Sequence, residues 1–87
     1  MKWSHNSNLL AAEEWLNTDY QNGPITRVAL FDVDKNKVSF FRTVYRGFVG
    51  DFSFEENKLI YKKDYHASGR IEETEVDLDK ISNWEDF

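Results

Sequence analysis

The chain contains no cysteine, one proline, four glycines and two histidines among its 87 residues. Without cysteine there is no disulfide framework to staple a small core and no thiolate metal site, a composition that suits a reducing compartment. The single proline, Pro24, and the lack of repeats or low-complexity tracts leave no linker, so residues 1–87 read as a single domain. No apolar run approaches the roughly 20 residues of a membrane-spanning helix, and no apolar signal core opens the chain. The expectation is a cytoplasmic protein without a membrane partner.

Basic residues are also in deficit. Eleven Lys/Arg stand against 16 Asp/Glu, for a net charge of −5, which disfavours general binding to polyanions. The deficit is uneven: residues 35–70 carry +4, residues 1–34 carry −3 and residues 71–87 carry −6. Placing the basic run 58–63 beside the acidic run 72–77 in a sheet neutralises both, and accounts for the segregation without a ligand.

What the chain has in plenty is aromatic and β-branched residues. Aromatics make up 16% and hydrophobic residues 40% of the sequence, enough apolar area for a small folded core. Apolar runs between Ile25 and Leu78 are separated by only a few polar or glycine residues, which implies antiparallel hairpins because such loops cannot make a parallel crossover. Turns are expected at Lys35-Asn36, Arg46-Gly47, Glu56-Asn57 and His66-Ala67-Ser68-Gly69, each with a residue that tolerates positive φ. The resulting registers match charge with charge and apolar with apolar. The first turn sets Phe31 opposite Phe40 and Val33 opposite Val38. The second sets Val44 opposite Val49 and Phe41 opposite Phe52. The third sets Phe54 opposite Leu59 and Asp51 opposite Lys62, and the fourth Lys62 opposite Glu73 and Leu59 opposite Val76.

Alternation then divides the side chains between two faces. One carries Val28, Leu30, Phe41, Tyr45, Phe48, Phe52, Phe54, Leu59, Tyr61, Tyr65 and Val76 and is the core face, with Phe52 at its centre. The opposite face holds an apolar half (Phe31, Val33, Val38, Phe40, Val44, Val49) and a charged half. Upstream, Leu9, Ala12, Leu16 and Tyr20 recur at helical spacing from Ser7 to Asn22, with Asn6 or Ser7 as cap and Asn22-Gly23-Pro24 as stop. Trp3 is too apolar to be left unpacked. Downstream, Asp79 can cap a last turn over Lys80–Asp86, with Ile81, Trp84 and Phe87 spaced by three. The expected fold class is therefore α+β: an N-terminal helix packed on a five-stranded antiparallel β-meander, with room to curl toward a small barrel, and a short C-terminal helical turn.

Motifs for chemistry fail on their own requirements. Asp32-x-Asp34-x-Asn36 matches the opening of a calcium loop, but Lys37 stands where that loop needs Gly and Thr43 where it needs a bidentate Glu. His66 beside Asp64 lacks a nucleophile to serve, and two histidines without ligand spacing do not make a zinc site. Gly47 and Gly50 lack the helix and the Lys-Ser/Thr of a phosphate loop. Glu72, Glu73, Glu75 and Asp77 face lysines, as a solvated lattice would. No catalytic, cofactor-binding or metal-binding residue is expected, and no cofactor.

The reading left is a small acidic protein-binding domain, acting stoichiometrically as inhibitor, adaptor or small subunit, of a kind found in phages and mobile elements. Its candidate interface is the apolar back face and tail: Phe31, Val33, Val38, Phe40, Val44, Trp84 and Phe87, a patch larger than a lone soluble domain usually exposes. A homodimer through the first sheet strand is the favoured self-association, since the last strand is shielded by its Glu residues. Two alternatives come from other classes. A single-strand nucleic-acid binder would use the aromatic-basic run around Tyr45-Arg46-Gly47-Phe48, and a small-ligand or enzymatic domain would need a deep pocket.

Overall fold

Two antiparallel sheets pack face to face around one core in the computed structural model, which describes residues 1–5, 7–17, 23–65 and 68–87. The strands are β1 (Lys2–Trp3), β2 (Leu9–Trp15), β3 (Ile25–Asp32), β4 (Lys37–Phe40), β5 (Val44–Tyr45), β6 (Gly47–Glu55), β7 (Lys58–Tyr65), β8 (Arg70–Asp77) and β9 (Glu85–Asp86). The larger sheet runs β1-β2-β3-β4-β9, with β5 also on β3; the smaller runs β6-β7-β8. Among the described residues the only helical element is a 3-10 turn, Leu78–Lys80, and no helix is long and apolar enough to cross a membrane.

The expected α+β class is overturned at the N-terminal segment. Leu9–Trp15 is a strand paired along its whole length with β3, from Leu9 opposite Asp32 to Trp15 opposite Thr26. The stretch fits a strand as well as a helix: Leu9, Ala11, Glu13 and Trp15 alternate with Leu10, Ala12 and Glu14. What decides is the partner. A helix lying over the sheet would leave one flank of β3 with unpaired N–H and C=O groups, whereas a strand satisfies them. The helix positions Tyr20 and Asn22, and the cap Asn6, lie outside the described residues.

The hairpins follow the sequence at both ends and depart from it in the middle. Glu56 and Asn57 both take positive φ (44° and 67°), the backbone of a two-residue hairpin turn, and Glu55 faces Lys58 as expected. The β7–β8 register also stands throughout, with Lys62 opposite Glu73 and Leu59 opposite Val76. The loop between them includes His66 and Ala67, which lie outside the described residues. The first turn is wider than expected: Val33–Asn36 forms a four-residue loop, closed by Asp32 Oδ1 accepting the Lys35 N–H at 3.2 Å. Phe31 therefore faces Val38, and Phe40 faces Ala29. A two-residue slide keeps each side chain on its face.

The hairpin expected at Arg46-Gly47 does not exist. β5 pairs with β3 in one sheet and β6 with β7 in the other, so the chain turns a corner there, with Arg46 at a φ of 56°. Phe41 and Phe52 are consequently not cross-strand neighbours, although both rings approach Tyr61, at 6.1 and 6.2 Å. Two one-residue irregularities accompany the corner. One lies between Phe40 and Val44, where the pairing with β3 gains a residue, and the other at Asp51, whose φ is 52°. Each extra residue exchanges the two faces of the strand beyond it. Val44 and Val49, expected on the back, are buried at 2% and 4% exposure, while Tyr45, expected in the core, is 67% exposed. Phe52 is only half-buried.

The core is the meeting of Ala11, Val28, Leu30 and Val44 from the larger sheet with Val49, Phe54, Leu59 and Tyr61 from the smaller. Ile81 and Trp84 pack against the same cluster, and Asn83 fastens the tail by accepting from Ser39 Oγ at 2.7 Å and donating to the Phe40 carbonyl at 2.9 Å. Glu13 joins the sheets, its carboxylate accepting the Val49 N–H at 2.9 Å and the Trp15 indole N–H at 2.8 Å. Both flanks of β3, the strand expected to offer a free edge for dimerisation, are occupied by β2 on one side and β4 and β5 on the other. An edge-to-edge dimer through it has nowhere to form.

Burial of Tyr61, reinforced by neighbouring Tyr65, pushes its phenol from 10.0 up to about 12. Below pH 10 folded and unfolded chains both hold this proton, so it leaves stability unchanged. Between pH 10 and 12 the unfolded chain loses it first, and stability is expected to fall by on the order of 2–3 kcal/mol. Denaturant melts across this window should show a shallower fall for Tyr61→Phe than for the parent. Parallel pH curves would exclude the effect.

Candidate interaction surface

The face of the larger sheet turned away from the core carries a second apolar cluster. Its first row is set by the registers: Trp3 faces Leu10, Leu10 faces Phe31, and Phe31 faces Val38. A second row places Ala12 beside Ala29 and Ala29 beside Phe40. Side chains alternate along each strand, so these residues share the side opposite Ala11, Val28 and Leu30. None of them belongs to the inter-sheet core cluster.

The tail adds the last member. β9 pairs with β4 through Lys37–Asp86 and Val38–Glu85, and the Phe87 N–H bonds to the Asn36 carbonyl. This brings the Phe87 ring edge-on to Phe31 at 5.5 Å. The contact does not close the face. Trp3 remains 47% exposed, Val33 38% and Phe87 61%. Phe31 and Phe40 are half-buried and Val38 is buried.

Charges sit at the ends of this face. Arg27 binds Glu14, facing it across β2 and β3, with N–O distances of 2.8 and 3.1 Å, and its guanidinium lies 3.8 Å over the Phe40 ring. At the far end Glu85 stands opposite Val38 and closes the first row, while Lys37 pairs with Asp86 on the other side of the sheet. The surface between Arg27 and Glu85 is apolar.

Of the seven residues expected to form an interface, Phe31, Val33, Val38, Phe40 and Phe87 are brought together on this face. Val44 and Trp84 are not: the bulge after Phe40 turns Val44 inward, and Trp84 lies against the core beside Leu78 and Leu9. Trp3 and Leu10 were missed because the segment before β3 reads as a helix; the odd-even split of Leu10 and Ala12 from Leu9 and Ala11 was the signal available. Trp3 packs less than its size suggests.

Among the described residues no group of His, Asp or Glu could hold a metal ion. Asp32 is committed to its turn, and His5 shares a 3.2 Å hydrogen bond with the Phe54 carbonyl. His66 lies outside the described residues. One open cleft, of about 350 Å³, is rimmed by Asp32, Lys35 and Asp79 beside Trp84. No family model matches the chain, and no curated protein or solved structure matches it.

Proposed function

We propose that the protein is a stoichiometric protein-binding domain that docks through the outer face of its larger sheet. The observation that carries this reading is the contiguous apolar row Trp3–Leu10–Phe31–Val38, extended by Phe87 and Val33, left partly exposed on a small acidic chain. Exposed aromatic anchors suit an apolar partner surface, where desolvated aromatics supply most of the binding energy. A nucleic-acid strand would need free cations beside the aromatics, and on this face Arg27 is already neutralised by Glu14 and the first row ends at Glu85. The partner is another protein in the same compartment, for which the cysteine-free sequence suggests the cytoplasm.

A photo-reactive side chain placed at Val33 or Phe87 should trap one partner at fixed stoichiometry in extracts of the producing cell. The same group at Asp51, on β6 of the smaller sheet and away from both, should not. Val33→Glu is expected to weaken capture about tenfold or more without changing the far-ultraviolet spectrum, because the side chain is at the surface. Equal labelling from Asp51, or salt-sensitive capture of single-stranded nucleic acid instead, would remove the proposal.

A further inference from the structure

The smaller sheet ends in an edge that nothing in the described chain covers. β8 runs eight residues, Arg70–Asp77, in unbroken register with β7, and no described strand lies on its other side. The direction of its backbone groups is fixed by the adjoining turn. The two-residue loop Glu56-Asn57 makes Glu55 and Lys58 a hydrogen-bonded pair, so the next residue of β7, Leu59, bonds toward β8. The Leu78 N–H bond to the Asn57 carbonyl, 3.0 Å, has the same phase. Arg70, Glu72, Thr74 and Val76 therefore bond to β7. Ile71, Glu73 and Glu75 direct N–H and C=O outward, and Asp77 its N–H, its carbonyl being taken by the 3-10 turn that it caps.

Those same outward residues put their side chains on the outer face of the sheet. Ile71 is 62% exposed, and Glu73 and Glu75 are exposed. Glu73 faces Lys62 across the ladder, yet Lys62 makes its ion pair with Asp51 at 3.7 Å, on the opposite neighbour. Glu75 has Lys58 at 3.7 Å, an exposed and weak pairing. The edge thus offers a regular row of backbone donors and acceptors flanked by carboxylates that are incompletely neutralised within the sheet.

We infer that β8 accepts an added antiparallel strand from a partner protein, a segment with Lys or Arg opposite Glu73 and Glu75 and an apolar residue opposite Ile71. Backbone bonds supply the affinity of such an addition, and alternate side chains supply its specificity. A second copy of this chain is the wrong occupant. Antiparallel self-pairing of β8 would set carboxylates against carboxylates, and like charges directly opposite are destabilising. Acidic side chains on an open edge guard against self-association, and the same charges select a basic strand. This site is separate from the apolar face of the larger sheet, and either can fail without the other.

The test is a titration of the isotopically labelled protein with a capped peptide of alternating threonine and lysine that ends in valine. The expected result is alternation: amide signals of Ile71, Glu73, Glu75 and Asp77 shift and exchange more slowly, while those of Arg70, Glu72, Thr74 and Val76 change little. A peptide with glutamate in place of lysine should bind about tenfold more weakly or worse, two cross-strand charge pairs having changed sign. Glu73→Pro removes one outward N–H without touching the ladder to β7, as proline is tolerated there, and should abolish the alternating pattern. The double variant Glu73→Lys, Glu75→Lys keeps the edge and should reverse the preference to the glutamate peptide. No binding at millimolar peptide, shifts without alternation, shifts on the Phe31–Val33 face instead, or an unreversed preference in the lysine variant would each overturn the inference.

Discussion

Leu59→Ala is expected to cost about 2–5 kcal/mol of stability, a large share of the roughly 5–15 kcal/mol a domain of this kind has. Leu59 is fully buried, at 0% exposure, on the middle strand of the smaller sheet, where it faces Phe54 on one side and Val76 on the other. Its side chain projects into the cluster that joins the sheets. Truncation removes both the buried methyl groups and the dispersion contacts of the atoms lining the space they vacate. Phe52→Ala should cost less despite the larger side chain, because Phe52 is half-buried beside the irregularity at Asp51. Denaturant melts of the two variants check the order. A larger loss for Phe52→Ala would mean that the core is centred on the aromatic row rather than between the sheets.

That comparison bears on how much of the fold could be read from the chain. The two hairpins from Phe54 to Asp77 were legible because local chemistry and pairing agree. Glu56-Asn57 suits a tight turn, and the Lys58–Lys63 run sits opposite carboxylates in one register only. Residues 9–15 were not legible, because Ala11 and Ala12 fit helical spacing and strand alternation equally, and propensity is a weak prior against the demand of β3 for a partner. The Val44 and Val49 faces were lost for a different reason. An inserted residue leaves no compositional mark, yet it inverts every side chain beyond it.

The candidate surface was partly legible for the same reasons. Phe31, Val33, Val38 and Phe40 lie on one turn and its flanks, where a two-residue error in pairing preserves the face. Phe87 joins them through a short strand, β9, that an expected helical turn concealed. Trp3 and Leu10 depend on β2 being a strand, so they could not be assigned while that segment read as a helix. Cross-sheet relations such as Glu13 to the Val49 N–H need the third dimension entirely.

Substitution at the corner separates the two readings of the chain most sharply. In a hairpin at Arg46-Gly47, Gly47 would hold a positive φ and tolerate Asn, and the cost of a β-carbon would come from backbone strain alone. In the observed corner the positive φ of 56° belongs to Arg46. Gly47 opens β6, buried, and an added β-carbon would stand 2.6 Å from the Asp64 carbonyl oxygen and 2.9 Å from Val44 Cγ1. The first of these is backbone of the paired strand, which cannot swing aside as a flexible side chain could. Relief would have to move β6 away from β7, or away from β3, where the Gly47 N–H meets the Pro24 carbonyl at 3.1 Å and its own carbonyl accepts from the buried Thr26 hydroxyl at 2.8 Å. Gly47→Ala is therefore expected to cost about 1–3 kcal/mol or more, as overpacking does. Arg46→Gly should be neutral or stabilising by up to about 1 kcal/mol, since glycine enters the left-handed region without the steric cost of a β-carbon, offset by its greater freedom in the unfolded chain. Equilibrium denaturation of the two variants reads both signs. A tolerated Gly47→Asn, allowed at a left-handed turn position but barred by the β-carbon clash at the corner, together with a damaging Arg46→Gly would restore the hairpin and remove the corner on which the two-sheet core depends.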